Sequence, residues 1–193
     1  MNQINNKEKR AILLGMAIGD GNIYSNKKGA GLIIRHCNAQ IEYLLYKKEI
    51  LESIYNTPIN IIKVQNGNQI AKCDTKRFRI YRKWLYPNNV KTISNVLHFL
   101  DIHSVALWYM DDGSLTAKKK DGKIHGYELT LNTYVSKEEN QLLINWFKKT
   151  YNIQFTQTKG KGKYRLRMGT KEAKKFCSLI KPYIIPSMFY KLL

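Results

Sequence analysis

Apolar residues recur at helical spacing in several segments of the chain, and segments with strand character lie between them. Over residues 7–19, Ile12 and Met16 fall on one apolar helix face, and the pattern stops at the Gly-Asp-Gly turn 19–21. The first half then predicts a strand at 31–36, a helix at 40–53, strands at 59–65, 69–74 and 77–81, and a hairpin turn at Gly67. The helix at 40–53 is expected to turn inward Ile41, Leu44, Leu45, Ile50 and Leu51.

The same order of elements recurs in the second half. Asp112 follows Asp20 by 92 positions, the segment 163–167 follows 76–80 by 87, and Tyr151 follows Tyr55 by 96. The elements predicted there are a helix at 104–110, a strand at 126–132, a helix at 136–151 with a capping box at its start, strands at 153–158 and 164–168, and a helix at 171–180. We therefore expect two homologous halves, residues 1–96 and 97–193.

The charge of the chain points to a polyanionic partner. Its 193 residues carry 33 Lys and Arg against 14 Asp and Glu, a net charge of +19, while 44% hydrophobic residues exclude a wholly disordered basic tail. Residues 1–96 hold 16 basic and 6 acidic side chains, and residues 97–193 hold 17 and 8, so both halves are cationic. Nucleic acid is the expected partner. The alternative is that an A/T-rich genome, whose codons favour Lys, Asn and Ile, produced lysines that form only a solvated surface.

Cysteine usage and hydropathy indicate the cellular compartment of the protein. Cys37, Cys73 and Cys177 form neither a C-x-x-C pair nor an even disulfide framework, which is typical of a reducing environment. The polar N-terminus does not resemble a secretory signal, and no apolar run reaches the ~18 to 20 residues of a membrane span. The sequence thus predicts an intracellular protein without a membrane partner.

Carboxylates lie where helix electrostatics disfavour them. Asp20 and the Asp111-Asp112 pair follow the two apolar helices, although a negative charge at a helix C-terminus costs ~0.3 to 1 kcal/mol. Gly15 and Gly19 leave a flat stripe that would let the helices pack closely and bring their terminal acids together. A divalent cation would remove the conflict, and two such ions ~3.5 to 4 Å apart can clamp a phosphodiester. The alternative is a pair of ordinary Asp-Gly turns.

Residues 13–21 and 105–113 resemble the two copies of the LAGLIDADG motif of homing endonucleases. The segment 91–93 before the second motif, the segment 131–133 and the tail 180–192 are also similar to that family, so the resemblance covers nearly the whole chain. It implies an α+β fold of two pseudo-twofold αββαββα halves. In that fold the motif helices pack at the centre, and two antiparallel sheets form a DNA-binding saddle.

The resemblance also implies a metal-dependent active site. Asp20 and Asp112 would be metal ligands, with Gly19 and Asp111 offering backbone carbonyls. The implied ion is Mg²⁺, with Mn²⁺ expected to substitute and Ca²⁺ to bind without supporting cleavage.

Two lysines match positions where the family places basic residues near its active sites. Lys91 and Lys191 are therefore expected to organise a water network or to stabilise the charge on the reacting phosphate. Plain phosphate contacts are the alternative role for both.

Cationic strand faces are the predicted DNA interface. In 163–167 and in 77–81, basic residues alternate with apolar ones, and arginine can bind guanine bidentately in the major groove. A solvated sheet face is the alternative. The expected DNA contacts are Arg35, Lys72, Arg77, Arg79, Asn132, Lys161, Lys163, Arg165 and Arg167.

The second motif departs from the family pattern. Leu107 replaces its third-position glycine, and Trp108 and Tyr109 are bulky, so the helix crossing is expected to be wider or asymmetric. The short chain implies short loops and few base contacts.

Two functions from different classes follow. The first is a sequence-specific homing endonuclease, acting as a monomer, that makes a metal-dependent double-strand break in a long, asymmetric duplex DNA site. The second is a non-catalytic intron RNA maturase or DNA-binding regulator on the same scaffold. Retention of both acids and both lysines argues for the enzyme. The histidines lack zinc-site spacing and are expected to be structural or surface residues, namely His36, His98, His103 and His125.

Overall fold

The computed structural model describes residues 5–27, 29–64, 67–160 and 163–193. Within these ranges, six α-helices and eight strands follow one another in the order αββαββα, twice. In the first half these are α1 Asn6–Ile18, β1 Gly21–Ser25, β2 Ala30–Cys37, α2 Ile41–Tyr55, β3 Ile61–Val64, β4 Asn68–Asp74 and α3 Phe78–Leu85. In the second half they are α4 Ile102–Asp112, β5 Gly113–Lys120, β6 Lys123–Asn132, α5 Lys137–Tyr151, β7 Thr156–Gly160, β8 Lys163–Gly169 and α6 Thr170–Ile180.

Each half contributes one four-stranded antiparallel sheet. The strand orders are β1-β2-β4-β3 and β5-β6-β8-β7, so the two sheets share one topology. The predicted α+β fold with two antiparallel sheets is confirmed. The strands β1 and β5, which begin at the glycine closing each motif, were absent from the local pattern and present only in the family's order of elements.

The two motif helices, α1 and α4, pack on each other at the centre of the hydrophobic core. A Cβ atom added at Gly15 would lie 2.6 Å from the backbone oxygen of Ser104, so the stripe of small residues does permit close approach. The residues at this contact differ between the halves, because the positions equivalent to Gly15 and Ser104 are Leu107 and Ile12, both buried. The predicted boundary between residues 96 and 97 stays a prediction.

The predicted strand at 77–81 is wrong, because these residues begin helix α3. Over five residues Phe78 and Ile80 alternate with basic side chains, but Ile80 is 49% exposed. The buried residues are Phe78 and Leu85, seven positions apart, with Tyr81 packed against the core between them, which is helical spacing. The strand equivalent to β8 is β4, and the repeat offset there is 95 positions rather than 87.

The predicted strands at 126–132 and 153–158 begin instead at Lys123 and Thr156, and the other predicted elements match closely apart from differences at β3 and α2. The predicted strand at 59–65 begins at Ile61, and positions 65 and 66 lie outside the described residues. In α2, Leu45 is 41% exposed, whereas Lys47 is fully buried. No helix in the described ranges is long and apolar enough to cross a membrane.

Candidate active site

The C-terminal ends of α1 and α4 bring three carboxylates together. The backbone N–H of Asp20 donates to Oδ2 of Asp111 (3.0 Å), which joins the two motifs directly. Gly19 makes room for this contact, since a Cβ atom there would lie 2.0 Å from Asp111 Oδ2. Burial, and next the charge of Asp111, raise the pKa of Asp20, while Lys47 and His36 oppose the shift. The predicted convergence of the helix-terminal acids therefore occurs.

Asp112 is the least compensated of the three acids. Its Oδ2 is buried and has no hydrogen-bond partner among the described residues. Burial, followed by the charges of Asp20 and Asp111, raises the pKa of Asp112 to about 7, with Lys91 and next the Trp108 side chain acting in the opposite direction. An orphaned carboxylate oxygen beside a second acid is a donor set that suits a hard divalent cation. The residues present therefore fit the metal that the motifs imply.

The two predicted lysines occupy equivalent places in the two halves. Lys91 Nζ donates to the carbonyl of Ile18 (2.6 Å), and Lys191 Nζ donates to the carbonyl of Met110 (2.5 Å), the residue 92 positions later. Lys191 Nζ also lies 3.4 Å from the carbonyl of Asp111. Burial lowers the pKa of each lysine, and the clustered carboxylates oppose this shift. The structure thus brings one lysine from each half to the acids.

Different devices hold the two lysines in place. Glu139 accepts hydrogen bonds from the backbone N–H groups of Ile93 (2.8 Å) and Ser94 (3.2 Å) and from the Thr92 hydroxyl, and so fixes the segment after Lys91. On the other side, the Tyr109 hydroxyl donates to the carbonyl of Lys191 (2.7 Å).

The predicted capping box of α5 is only half formed. Ser136 accepts from the Glu139 N–H (3.2 Å) as expected. The Glu139 carboxylate binds the segment 92–94 instead of returning to the N-cap.

A buried cluster that the sequence analysis missed adjoins Asp20. Lys47 Nζ lies 2.6 Å from Asp111 Oδ1 and 3.2 Å from His36 Nε2, and His36 Nδ1 lies 3.7 Å from Asp20 Oδ2. Asp20, His36 and Asp111 offer ligand atoms within 4.8 Å of one another. The available signal was Lys47 itself, which lies between Leu44 and Leu51 on the apolar face of α2.

The outward faces of the sheets carry five of the predicted DNA contacts. Arg35 faces outward on β2 and Lys72 on β4, where Lys72 pairs with Asp74 (2.9 Å). In the second sheet, Arg165 and Arg167 face outward on β8, and Arg167 lies 3.3 Å from Glu128. Asn132, at the end of β6, donates to the carbonyl of Asp112 (3.2 Å) and therefore lies beside the acids.

The remaining predicted DNA contacts are placed differently. Arg77 and Arg79 lie at the start of α3, which packs on β1 and β2, and Arg79 donates to the carbonyls of Asn26 and Lys27. The assignment of Arg77 and Arg79 as DNA contacts depended on the predicted strand at 77–81, so that assignment loses its basis. Lys163 is the first residue of β8, and Lys161 lies outside the described residues.

Similarity to known proteins agrees with this geometry. Residues 10–176 match the LAGLIDADG DNA endonuclease family. The chain is 31% identical to the cytochrome b mRNA maturase bI2 of Saccharomyces cerevisiae over 94% of this chain and 46% of the maturase, so it spans about half of that relative. It is 27% identical to the probable intron-encoded endonuclease 1 of Wickerhamomyces canadensis, over 97% of this chain and 84% of that protein.

A solved structure shows the same fold over the whole chain. The homing endonuclease I-WcaI bound to its DNA recognition sequence matches with a TM-score of 0.82 at 26% identity, covering 100% of this chain and 88% of that one. Two repeats of one topology, with paired motif helices ending in clustered acids, agree with the sequence match. The chain belongs to the LAGLIDADG DNA endonuclease family.

Proposed function

We propose that the chain is a sequence-specific endonuclease that makes a metal-dependent double-strand break in a long, asymmetric duplex DNA site. The observation that carries this proposal is the cluster of Asp20, Asp111 and Asp112 at the ends of α1 and α4, in which the charge of Asp20 acts on Asp112 and a buried oxygen of Asp112 has no hydrogen-bond partner among the described residues. A protein that only binds DNA gains nothing from carboxylates placed beside phosphates. Two acids from two halves suit the cutting of two strands.

Mg²⁺ is the proposed ion, held by the carboxylates of Asp20 and Asp112, with the carbonyls of Gly19 and Asp111 as further ligands. When bound, such an ion supplies Lewis-acid polarisation of the phosphate and an activated water. Mn²⁺ is expected to support cutting, and Ca²⁺ to bind without it. Burial, and next the charges of Asp20 and Asp111, raise the pKa of Asp112, and a divalent cation would offset both effects, which supports this assignment.

Lys91 and Lys191 are proposed to act on the reacting phosphate. Each is anchored by a carbonyl at the end of its own motif helix and is attracted by the clustered acids. An ammonium held there can donate to a phosphate oxygen or order the attacking water. One lysine for each half parallels one acid for each half.

The outward faces of the two sheets are the proposed DNA interface, with the chain acting as a monomer. The first sheet offers Arg35 opposite Ile70, whereas the second offers Asn132 opposite Arg165. Because arginine and asparagine bind different base edges, the two faces favour different half-sites. An asymmetric target is the consequence.

An RNA-splicing maturase is the second candidate function, with intron RNA as the partner. It is favoured by the 31% identity to a protein named as a cytochrome b mRNA maturase. The two functions are compatible on one scaffold.

The test uses the duplex formed by joining the sequences that flank this reading frame's own genomic insertion. Labelled on each strand separately, it is incubated with the protein and Mg²⁺, and in parallel with EDTA. Cuts at one position on both strands that require Mg²⁺ are the expected result. Tight binding without cutting would reject the endonuclease and make binding to the flanking intron RNA the next measurement.

A further inference from the structure

A fully buried lysine outside the predicted catalytic set lies against the acids. Lys47 has 0% of its side chain exposed, as has its partner Asp111. Burying an ammonium is costly unless a charge partner and hydrogen bonds compensate it. Its partners are Asp111 Oδ1 at 2.6 Å, His36 Nε2 at 3.2 Å and the ring of Tyr43, whose centroid is 4.1 Å away.

The contacts of Lys47 define the state of His36. Because Nε2 accepts from the ammonium, the proton of the neutral ring lies on Nδ1, where it donates to Gln40 Oε1 (3.2 Å). An imidazole that accepts at one ring nitrogen and donates at the other is neutral, so His36 contributes no second cation to the cluster.

The Lys47 ammonium lies among side chains that could otherwise bind a metal cation. It contacts two of the three residues whose ligand atoms cluster, His36 and Asp111. Asp111 then has both oxygens engaged, Oδ1 by Lys47 and Oδ2 by the N–H of Asp20. In contrast, the Asp20 carboxylate is 43% exposed and Asp112 keeps an unpartnered oxygen.

The arrangement exists in one half only. The helices α2 and α5 are related by 96 positions, and both end at a left-handed asparagine. The residue of α5 equivalent to Lys47 is Leu143, which is also fully buried.

We propose that Lys47 is a positioning residue that serves as a built-in cation for this cluster. It commits the Asp111 carboxylate to the protein, fixes the backbone of Asp20 through the Asp111 hydrogen bond, and leaves Asp20 and Asp112 for the metal. This inference rests on the proposed function for its catalytic consequence, but not for its structural one. It predicts that Lys47 affects the two strands of the target unequally.

The test compares Lys47→Met, the double variant Lys47→Met/Asp111→Asn and the matched control Leu143→Met. Urea unfolding of the metal-free proteins comes first. Lys47→Met leaves a buried unpaired carboxylate and is expected to raise the unfolding equilibrium constant at least about a hundredfold. The double variant, which keeps an acceptor for the Asp20 N–H, is expected to return within about tenfold of wild type. A double variant as unstable as Lys47→Met would overturn the pairing.

Hydrogen exchange of the Asp20 amide tests positioning without DNA or metal. Under conditions where each protein is folded, Lys47→Met is expected to accelerate this exchange at least about tenfold beyond any change at the α1 amide of Leu14. Leu143→Met should not change it. If Lys47→Met itself does not fold, the double variant is compared, with an expected exchange rate close to wild type. Unchanged exchange in Lys47→Met, or faster exchange in the double variant, would overturn the proposal.

Strand-resolved cleavage then tests the catalytic consequence. In Lys47→Met the ratio of the two strand rates is expected to shift at least about tenfold, with little shift in Leu143→Met. Equal slowing of both strands would show a merely structural role and overturn the proposal. A wild-type protein that does not cut rejects the proposed function alone, because unfolding and hydrogen exchange still decide the role of Lys47.

Discussion

The residue before the last acid of each motif distinguishes the two halves most clearly. The two equivalent residues, Gly19 and Asp111, face each other where the motif helices meet, and the absent side chain of one makes the space for the other. Two side chains of ordinary size would not fit there. A duplicated fold thus reaches close packing at its centre by making one pair of equivalent positions unequal.

The acids that follow also differ in their surroundings. Asp20 is partly exposed, and Lys47 and His36 oppose the rise in its pKa. Asp112 has Lys91 as its opposing cation, an unpartnered oxygen and a pKa raised to about 7. Equivalent backbone positions therefore carry carboxylates with different electrostatics, and the two proposed metal ligands are not interchangeable.

The two halves should differ most in how well they tolerate a larger side chain at the contact between α1 and α4. Gly15→Ala drives a Cβ atom into the backbone of Ser104, whereas the equivalent position already holds Leu107. We expect a loss of about 3 kcal/mol in the free energy of unfolding, measured with urea. Gly29→Ala is the control, since a Cβ atom there meets nothing within 4 Å. Equal stability of the two variants would refute the close contact.

Mutation should separate the contacts that hold the segment after Lys91 from the contact that holds Lys191. Glu139→Ala removes the acceptor for the backbone of Ile93 and Ser94 and is expected to cost about 2 kcal/mol in unfolding free energy. Glu139→Ala should also slow DNA cleavage, as Lys91→Met is expected to do. Glu138→Ala, at an exposed neighbouring site, serves as the control. A Glu139→Ala protein with wild-type stability would show that the 92–94 segment does not need this carboxylate.

The sheet layer and the helix layer of each half should differ in their contribution to DNA binding. Arg165→Ala, on the outward sheet face, is expected to weaken target binding about tenfold, as loss of one base or phosphate contact would. Arg79→Ala, in the helix layer, should leave affinity nearly unchanged. Titrations at several salt concentrations separate the contacts, because a lost phosphate contact lowers the salt slope by about 0.9. A larger effect of Arg79→Ala would reverse the assignment of faces.

The smallest expected difference concerns the starts of the motif helices, where His103 stands at the position of Ala11. Burial lowers the pKa of His103 below its ordinary 6.5, so the folded form holds this ring neutral. Below pH 6.5 the unfolded chain binds the proton more readily, and stability is lost as the pH falls. The difference in unfolding free energy between wild type and His103→Ala should therefore shrink on acidification. A difference independent of pH between 7 and 5 would contradict this.

Local sequence was sufficient for the elements with long, regular patterns. α1 was predicted almost to its ends from apolar spacing and the turn at 19–21, and α5 from the cap at Ser136. The segment 77–81 failed because five residues do not separate strand from helix spacing, while eight residues do. The duplication should have aligned this segment with α6 rather than with β8.

Sequence alone predicted only the part of the candidate site that the internal repeat and the family resemblance mark. Asp20 and Asp112 are marked by matching helix ends, and Lys91 and Lys191 by the family resemblance. Lys47 lies 64 positions before Asp111, and their contact depends on how two halves dock. No local pattern contains that information, although a lysine on an apolar helix face was a visible anomaly.

The most direct test of the account is cleavage of the flanking-sequence duplex by wild type, Asp20→Asn and Asp112→Asn, with each strand resolved. With Mg²⁺ we expect wild type to cut both strands and each variant to bind with similar affinity. Cleavage by each variant should fall at least about a thousandfold, as loss of several kcal/mol of transition-state stabilisation implies. Undiminished cutting by both variants would contradict the central claim that these two carboxylates form the active site.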